Sequence, residues 1–193
     1  MTTNDSPVEG ALTDAIALAM WLRDLEHADG VVEGIAAHLA GVLQAGGRVL
    51  TCGNGGSLCD AMHFAEEMSG RFRGDRPALA VQAMADPTHL TCVANDYGFE
   101  RVFSRGVEAW GRKGDALVVF STSGKSPNLI FAVEAARARG LSVVGLLGRD
   151  GGALKSACDH VIIVPGTTSD RIQEVHIKVV HLLIELIEKK LFG

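Results

Sequence analysis

Residues 48–67 read Arg-Val-Leu-Thr-Cys-Gly-Asn-Gly-Gly-Ser-Leu-Cys-Asp-Ala-Met-His-Phe-Ala-Glu-Glu. The apolar run Val49 to Cys52 predicts a buried strand. Gly53-Asn54-Gly55-Gly56 breaks it, where the missing Cβ atoms allow a sharp turn and close approach of a ligand to the backbone. Ser57 then stands as the N-cap of a helix carrying His63 and Glu67. At about 100° per residue these two lie roughly 40° apart round the helix, on one face. A strand, a glycine elbow and a helix with a His/Glu pair form a unit suited to building a site.

Downstream, Leu79-Ala80-Val81 is a short strand candidate. Asp86-Pro87 opens a helix running towards Asn95, Asn95-Asp96-Tyr97-Gly98 reads as a loop, and Phe99 to Trp110 as an amphipathic helix. Ala116 to Phe120 is apolar without alternation, the mark of a strand covered on both faces in a parallel sheet. It breaks at Ser121-Thr122-Ser123-Gly124-Lys125-Ser126-Pro127, and a helix follows over Asn128–Arg139, with Pro127 suited to its first turn. Val143 to Leu147 and Val161 to Val164 complete about five strands. Alternation with helices predicts an α/β fold, a doubly wound parallel sheet whose ligands bind beyond the strands' carboxyl ends. Both Gly/Ser loops, 53–57 and 121–126, fall there.

Upstream, residues 11–28 and Val31 to Leu43 carry apolar residues at helical spacing, with Trp21 as a packing anchor. These helices exceed what a minimal βαβ array needs. The chain reads as one domain, 1–193, with 1–46 a helical extension for packing against the sheet's flank or another subunit. The last helix, Asp170 to Leu191, has Ile, Val and Leu on most of its circumference and is expected to be buried. Hydrophobic residues make up 47% of the 193 and mean hydropathy is +0.20, a surplus that hints at surface covered between subunits. The net charge of −5 argues against a nucleic-acid-coating or membrane-surface protein. No run of eighteen apolar residues occurs, and the N-terminal residues are polar and acidic, so neither a spanning helix nor a secretory signal is expected. Four scattered cysteines (Cys52, Cys59, Cys92, Cys158), without a Cys-x-x-Cys pair, suit a reducing cytoplasm.

Two nucleotide motifs fail. G-x-G-x-x-G has Leu58 at its third glycine, and the P-loop glycine expected at 119 is Val119. In 121–126 there remain four hydroxyls (Ser121, Thr122, Ser123, Ser126) ahead of a helix N-terminus, which favours an anion such as a phosphate ester; plain serine capping is the alternative. On the last helix, Gln173 and His181 lie roughly 80° apart, and polar groups on a buried helix need partners. His176 there reads as a satisfied core histidine. If this helix meets the His63/Glu67 helix, the four side chains offer N, O, O and N, a set able to hold zinc or another divalent ion.

Taken together, Asn54-Gly55-Gly56-Ser57, Asp60-x-x-His63-x-x-x-Glu67, Asn95-Asp96-Tyr97-Gly98, Ser121-Thr122-Ser123-Gly124-x-Ser126 and Asp170-Arg171-Ile172-Gln173-Glu174 resemble the SIS (sugar isomerase) fold and, within it, the phosphoheptose isomerase family. The likeness runs from about residue 10 to the end. It implies an aldose–ketose isomerase converting D-sedoheptulose 7-phosphate to D-glycero-D-manno-heptose 7-phosphate through a cis-enediol, opening ADP-heptose synthesis for lipopolysaccharide-type glycans. It also implies a cytoplasmic homotetramer with sites at subunit interfaces and one Zn2+ per subunit held by His63, Glu67, Gln173 and His181. By the same likeness Ser121, Thr122, Ser123 and Ser126 hold the phosphate. Asn54, Gly55, Gly56, Asn95, Asp96, Glu67 and Gln173 contact the sugar, and Glu67, His181 and Asp170 are catalytic. SIS-fold proteins also act as non-catalytic modules that bind the replication initiator or sense phosphosugars; the Asp170/Gln173/His181 arrangement favours the enzyme.

Overall fold

The computed structural model describes residues 6–193; residues 1–5, part of the expected 1–46 extension, lie outside the described residues. Five strands, β1 (Val49–Gly53), β2 (Val81–Ala83), β3 (Ala116–Ser121), β4 (Ser142–Gly148) and β5 (His160–Val164), form one sheet in the order β2-β1-β3-β4-β5. Every pairing is parallel, with Val49 opposite both Val81 and Ala116, and Ser121 opposite Leu147. The order reverses between β1 and β3, so the chain leaves these neighbouring strands towards opposite ends of the sheet. A crevice opens at that point.

β3 sits at the centre and shows why its sequence lacks alternation. Ala116, Val118 and Phe120 pack into the layer formed with α2 (Val31–Gln44), α3 (Gly56–Ser69) and α7 (Ser169–Phe192). Leu117 and Val119 pack into the opposite layer with α5 (Val102–Trp110) and α6 (Pro127–Arg139). Each fully buried Leu or Phe of these layers stabilises the fold by about 1.5–3 kcal/mol. α1 (Pro7–Asp29) has a single fully buried residue, Leu22, and carries Val8, Leu12, Ile16 and Met20 outward in one exposed stripe at four-residue spacing. Trp21 is partly buried against the core. Among the described residues no helix is long and apolar enough to cross a membrane.

Several boundaries differ from the sequence reading. Ser57 lies inside α3; the cap position is Gly55 at φ +55°, a conformation only glycine adopts freely. β2 begins at Val81, not Leu79. Asn95, Asp96 and Tyr97 extend α4 (Pro87–Tyr97) instead of forming a loop. Asp86 caps the start of α4, accepting from the Thr88 and His89 amides, and Gly98 at φ +91° ends it. The Thr88 hydroxyl and those amides hold the Asp86 carboxyl below its usual range. α7 is buried along one face only: Glu174, Lys178, Glu185 and Lys189 form an exposed stripe opposite Ile172, Val179, Leu183 and Ile187.

His176 on the buried face is only half satisfied. Its Nε2 donates to the Leu147 carbonyl at 3.1 Å, while Nδ1 is buried without a partner. Burial pushes its pKa down to about 4. The unfolded chain therefore takes up a proton below about pH 6.5, and the folded chain does not until about pH 4. Stability is expected to fall by up to about 3 kcal/mol from this group as the pH drops through that window. Urea midpoints measured from pH 7 to 4.5 check this, and His176→Gln, which keeps a donor but cannot ionise, should flatten the slope.

Candidate active site

The β1–α3 elbow is built by glycines at two close approaches. A Cβ on Gly53 would stand 2.5 Å from the Ser57 carbonyl oxygen, and one on Gly56 would stand 2.6 Å from Gln173 Oε1. A larger residue at 56 would turn the Gln173 amide away from the elbow. Asn54 turns toward Asn128 on α6, and the two side-chain amides exchange hydrogen bonds of 3.0 and 2.8 Å. This pair ties the elbow to the loop after β3.

That loop is shaped by its own hydroxyls. Ser121 Oγ accepts from the Gly124 amide at 3.0 Å, and Ser123 Oγ accepts from the Lys125 amide at 3.3 Å. Gly124, at φ +64°, lies against the Gly151-Gly152 backbone so closely that a Cβ there would overlap the Gly151 carbonyl. Lys125 Nζ pairs with Asp150 at 3.2 Å, both side chains being largely exposed. That bond holds the Asp150 carboxyl below its usual range.

Between the loops lies a polar cavity of about 160 Å³. The elbow contributes Asn54 and Ser57. The β3–α6 loop adds Ser121, Thr122, Ser123 and Ser126, and α7 supplies Ser169 and Gln173. Thr122 and Ser169 share a hydroxyl–hydroxyl bond of 3.1 Å. The first turns of three helices, α3, α6 and α7, thus border one cavity with no cationic side chain among its lining residues. Aligned dipoles at these helix starts suit an anion. A larger cavity of about 480 Å³ beside α4 and α5 is lined by Met84, His89, Cys92 and Trp110, without convergent charge.

Further along the same two helices, α3 and α7 bring His63, Glu67 and His181 together. His63 Nε2 lies 3.2 Å from His181 Nε2 and 3.3 Å from Glu67 Oε1, and His181 Nε2 lies 3.8 Å from Glu67 Oε2. Phe72 stacks on the His181 ring, with centroids 5.9 Å apart. Glu67 Oε2 is buried with no hydrogen-bond partner. Two ring nitrogens facing one another beside an orphaned carboxylate oxygen, all within 4.8 Å, fit a divalent cation with N and O ligands. Nearby, Asp60 leaves Oδ2 buried and unpartnered. Burial pushes its carboxyl up to about 6, against the opposing pull of His63.

The other expected site residues are placed differently. Gln173 packs on Gly56, lies 3.4 Å from Ser57 Oγ and lines the polar cavity. Asp170 is exposed in the first turn of α7, its carboxyl held below the usual range by the Thr168 hydroxyl and the Arg171 amide. Asn95 and Asp96 bond to one another at 2.7 Å on the exposed end of α4 and do not line the cavity. Ser169, Asn128 and Phe72 were not singled out by sequence. The hydroxyl run Thr167-Thr168-Ser169 ahead of a helix is the one signal that pointed to Ser169; the Asn54–Asn128 pair spans 74 positions and leaves no local trace.

A family model described as SIS domain matches residues 17–148. The phosphoheptose isomerase of Fusobacterium nucleatum subsp. nucleatum is 58% identical over 160 residues, 83% of this chain and 82% of that protein. The phosphoheptose isomerase of Tolumonas auensis is 54% identical over 176 residues, 91% of each chain. Among solved structures, phosphoheptose isomerase GmhA from Neisseria gonorrhoeae superposes with a TM-score of 0.88 at 39% identity, covering 94% of this chain and 97% of that one.

Proposed function

Because the chain belongs to the SIS-domain family and, within it, to the phosphoheptose isomerases, we propose that it interconverts D-sedoheptulose 7-phosphate and D-glycero-D-manno-heptose 7-phosphate. As a phosphosugar isomerase it is an enzyme and not a non-catalytic SIS module. One observation carries the substrate assignment. The anion cavity at Gln173 and Ser57 and the cluster at His181, His63 and Glu67 lie on the same helix pair. Eight residues of α7 separate Gln173 from His181, about 12 Å along the axis. That spacing suits a sugar anchored by a terminal phosphate at one end and reacting at the other.

In this reading Ser121, Thr122, Ser123 and Ser126 hold the phosphate, with Ser57 and Ser169 completing the cradle. Asn54, Gly55, Gly56 and Gln173 contact the sugar. Glu67 takes a proton from C1 of the open-chain ketose and, after exchange with solvent, delivers one to C2. His181 gives a proton to O2 and recovers one from O1, so the cis-enediol forms and collapses without net gain or loss. Asp170 is a further acidic group beside Ser169 for the oxygen-proton transfers. Zn2+ is the ion we assign to His63, Glu67 and His181, with Gln173 as fourth donor. When bound it supplies positive charge at the sugar carbonyl oxygen.

We assign the chain to a homotetramer in the cytoplasm, with neither nucleic acid nor membrane as partner, at the entry to ADP-heptose synthesis. The exposed apolar stripe of α1 supports subunit packing, and a neighbouring subunit gives Asn95 and Asp96 a route to the sugar. The test is a coupled assay with sedoheptulose 7-phosphate in D2O. Turnover with deuterium at C2 of the aldose product is expected. Turnover of a five- or six-carbon phosphosugar with none of the heptulose would overturn the substrate assignment.

A further inference from the structure

Arg76 lies in the polar turn after α3, yet its side chain is only 5% exposed. Every guanidinium nitrogen is engaged. Nη2 donates to the Glu67 carbonyl at 2.6 Å. Nη1 donates to the carbonyls of Met68 at 2.8 Å, Gly70 at 3.0 Å and Pro77 at 3.2 Å. Nε donates to Glu188 Oε1 on α7 at 2.8 Å. Helices commonly end on a left-handed glycine that satisfies the last carbonyls. α3 ends on Gly70 at φ −90°, ψ −109°, outside that conformation, and the guanidinium takes over the exposed carbonyls.

We propose that Arg76 is a positioning residue for the His63/Glu67/His181 cluster, an inference that rests on the metal assignment above. One planar fork grips the backbone of the turn bearing Glu67 and, through Glu188, the helix bearing His181. The relative setting of α3 and α7 at the cluster is therefore fixed by a group that touches neither substrate nor ion. A lysine carries the same charge but lacks the fork needed to hold two helices at once. The contact of Gly56 with the Gln173 side chain lies at the other end of the helix pair, next to the polar cavity. Loss of Arg76 should loosen the cluster and leave that cavity unchanged.

The experiment compares wild type, Arg76→Lys, Arg76→Met and Glu188→Gln, each checked for folding by circular dichroism and thermal melting. Zn2+ affinity is measured against a competing chelator, kcat and KM in the coupled assay, and inorganic phosphate as a competitive inhibitor. Arg76→Lys is expected to weaken Zn2+ binding by about 10–100-fold, the range for residues that orient metal ligands. Its kcat should fall in step, while phosphate inhibition stays within about twofold of wild type. Glu188→Gln keeps an acceptor for Nε and should lose less; it also serves as the readout if the Arg76 variants do not fold. Wild-type Zn2+ affinity and kcat in folded Arg76→Lys, or in Glu188→Gln alone if the others unfold, would overturn the positioning role. A wild-type chain that binds no Zn2+ would overturn the metal assignment, and this proposal with it.

Discussion

Glu67→Gln is expected to lower kcat by about 10²–10⁴-fold, the range that a positioned proton-transfer group contributes. Inhibition by inorganic phosphate should change little. Glutamine matches the shape of the carboxylate but can neither accept a carbon-bound proton nor offer a negative charge to a cation between His63 and His181. The wild-type carboxylate leaves one oxygen buried without a hydrogen-bond partner, 3.8 Å from His181 Nε2, where a cation would meet it. The anion cavity is framed by other residues, Ser57, Ser121 and Ser126 among them, and does not depend on this carboxylate. Steady-state kinetics with phosphate as inhibitor separate the two effects. A kcat within tenfold of wild type would remove Glu67 as the carbon base.

Gly124→Ala is expected to cost about 3 kcal/mol or more and to abolish phosphate inhibition. Two independent penalties add. A left-handed residue with a Cβ costs about 1–2 kcal/mol, and at Gly124 the new methyl also overlaps the Gly151 carbonyl. A backbone group cannot swing aside as a long side chain can, so the 121–126 loop or the Gly151-Gly152 turn must move; such overpacking costs about 1–3 kcal/mol. Either movement spoils the cradle, because the Gly124 amide is what Ser121 Oγ accepts from. Gly74→Ala is the control, since a Cβ there meets nothing within 4 Å, and it should fall within about 0.5 kcal/mol of wild type. Urea midpoints and phosphate inhibition constants for the two variants provide the check.

What sequence disclosed followed physical scale. Strands buried on both faces announced themselves as unbroken apolar runs, and the parallel sheet followed from Ala116 to Phe120 and their neighbours. The two glycine/serine loops were visible because turns and helix starts demand particular residues locally. Boundaries slipped where a neighbour outvoted propensity. Asn95-Asp96-Tyr97 has loop-forming residues, yet an Asp86 cap and a Gly98 stop make it the last turn of α4. At the candidate site, spacing placed His63 with Glu67, and Gln173 with His181, on single helix faces. Whether all four side chains share one point depends on how α3 and α7 cross. Gln173 faces the anion cavity because Gly56 lets it approach the elbow. The Arg76–Glu188 bond joins positions 112 residues apart, and nothing in the intervening sequence foretells it.

Residues 63 and 181 meet across 118 positions of chain. During translation at roughly 5–20 residues per second, the first helix of this pair waits roughly 6–24 s for the second to emerge from the ribosome. Late in that interval, once β5 is made, the nascent sheet bears a greasy trough where α7 will lie, along with an imidazole and a carboxylate that have no counterpart. A growing polypeptide of this kind is chemically silent and sticky at once. Its cluster is completed only when α7 docks, and chaperones that shield apolar surface have the most to do just before that.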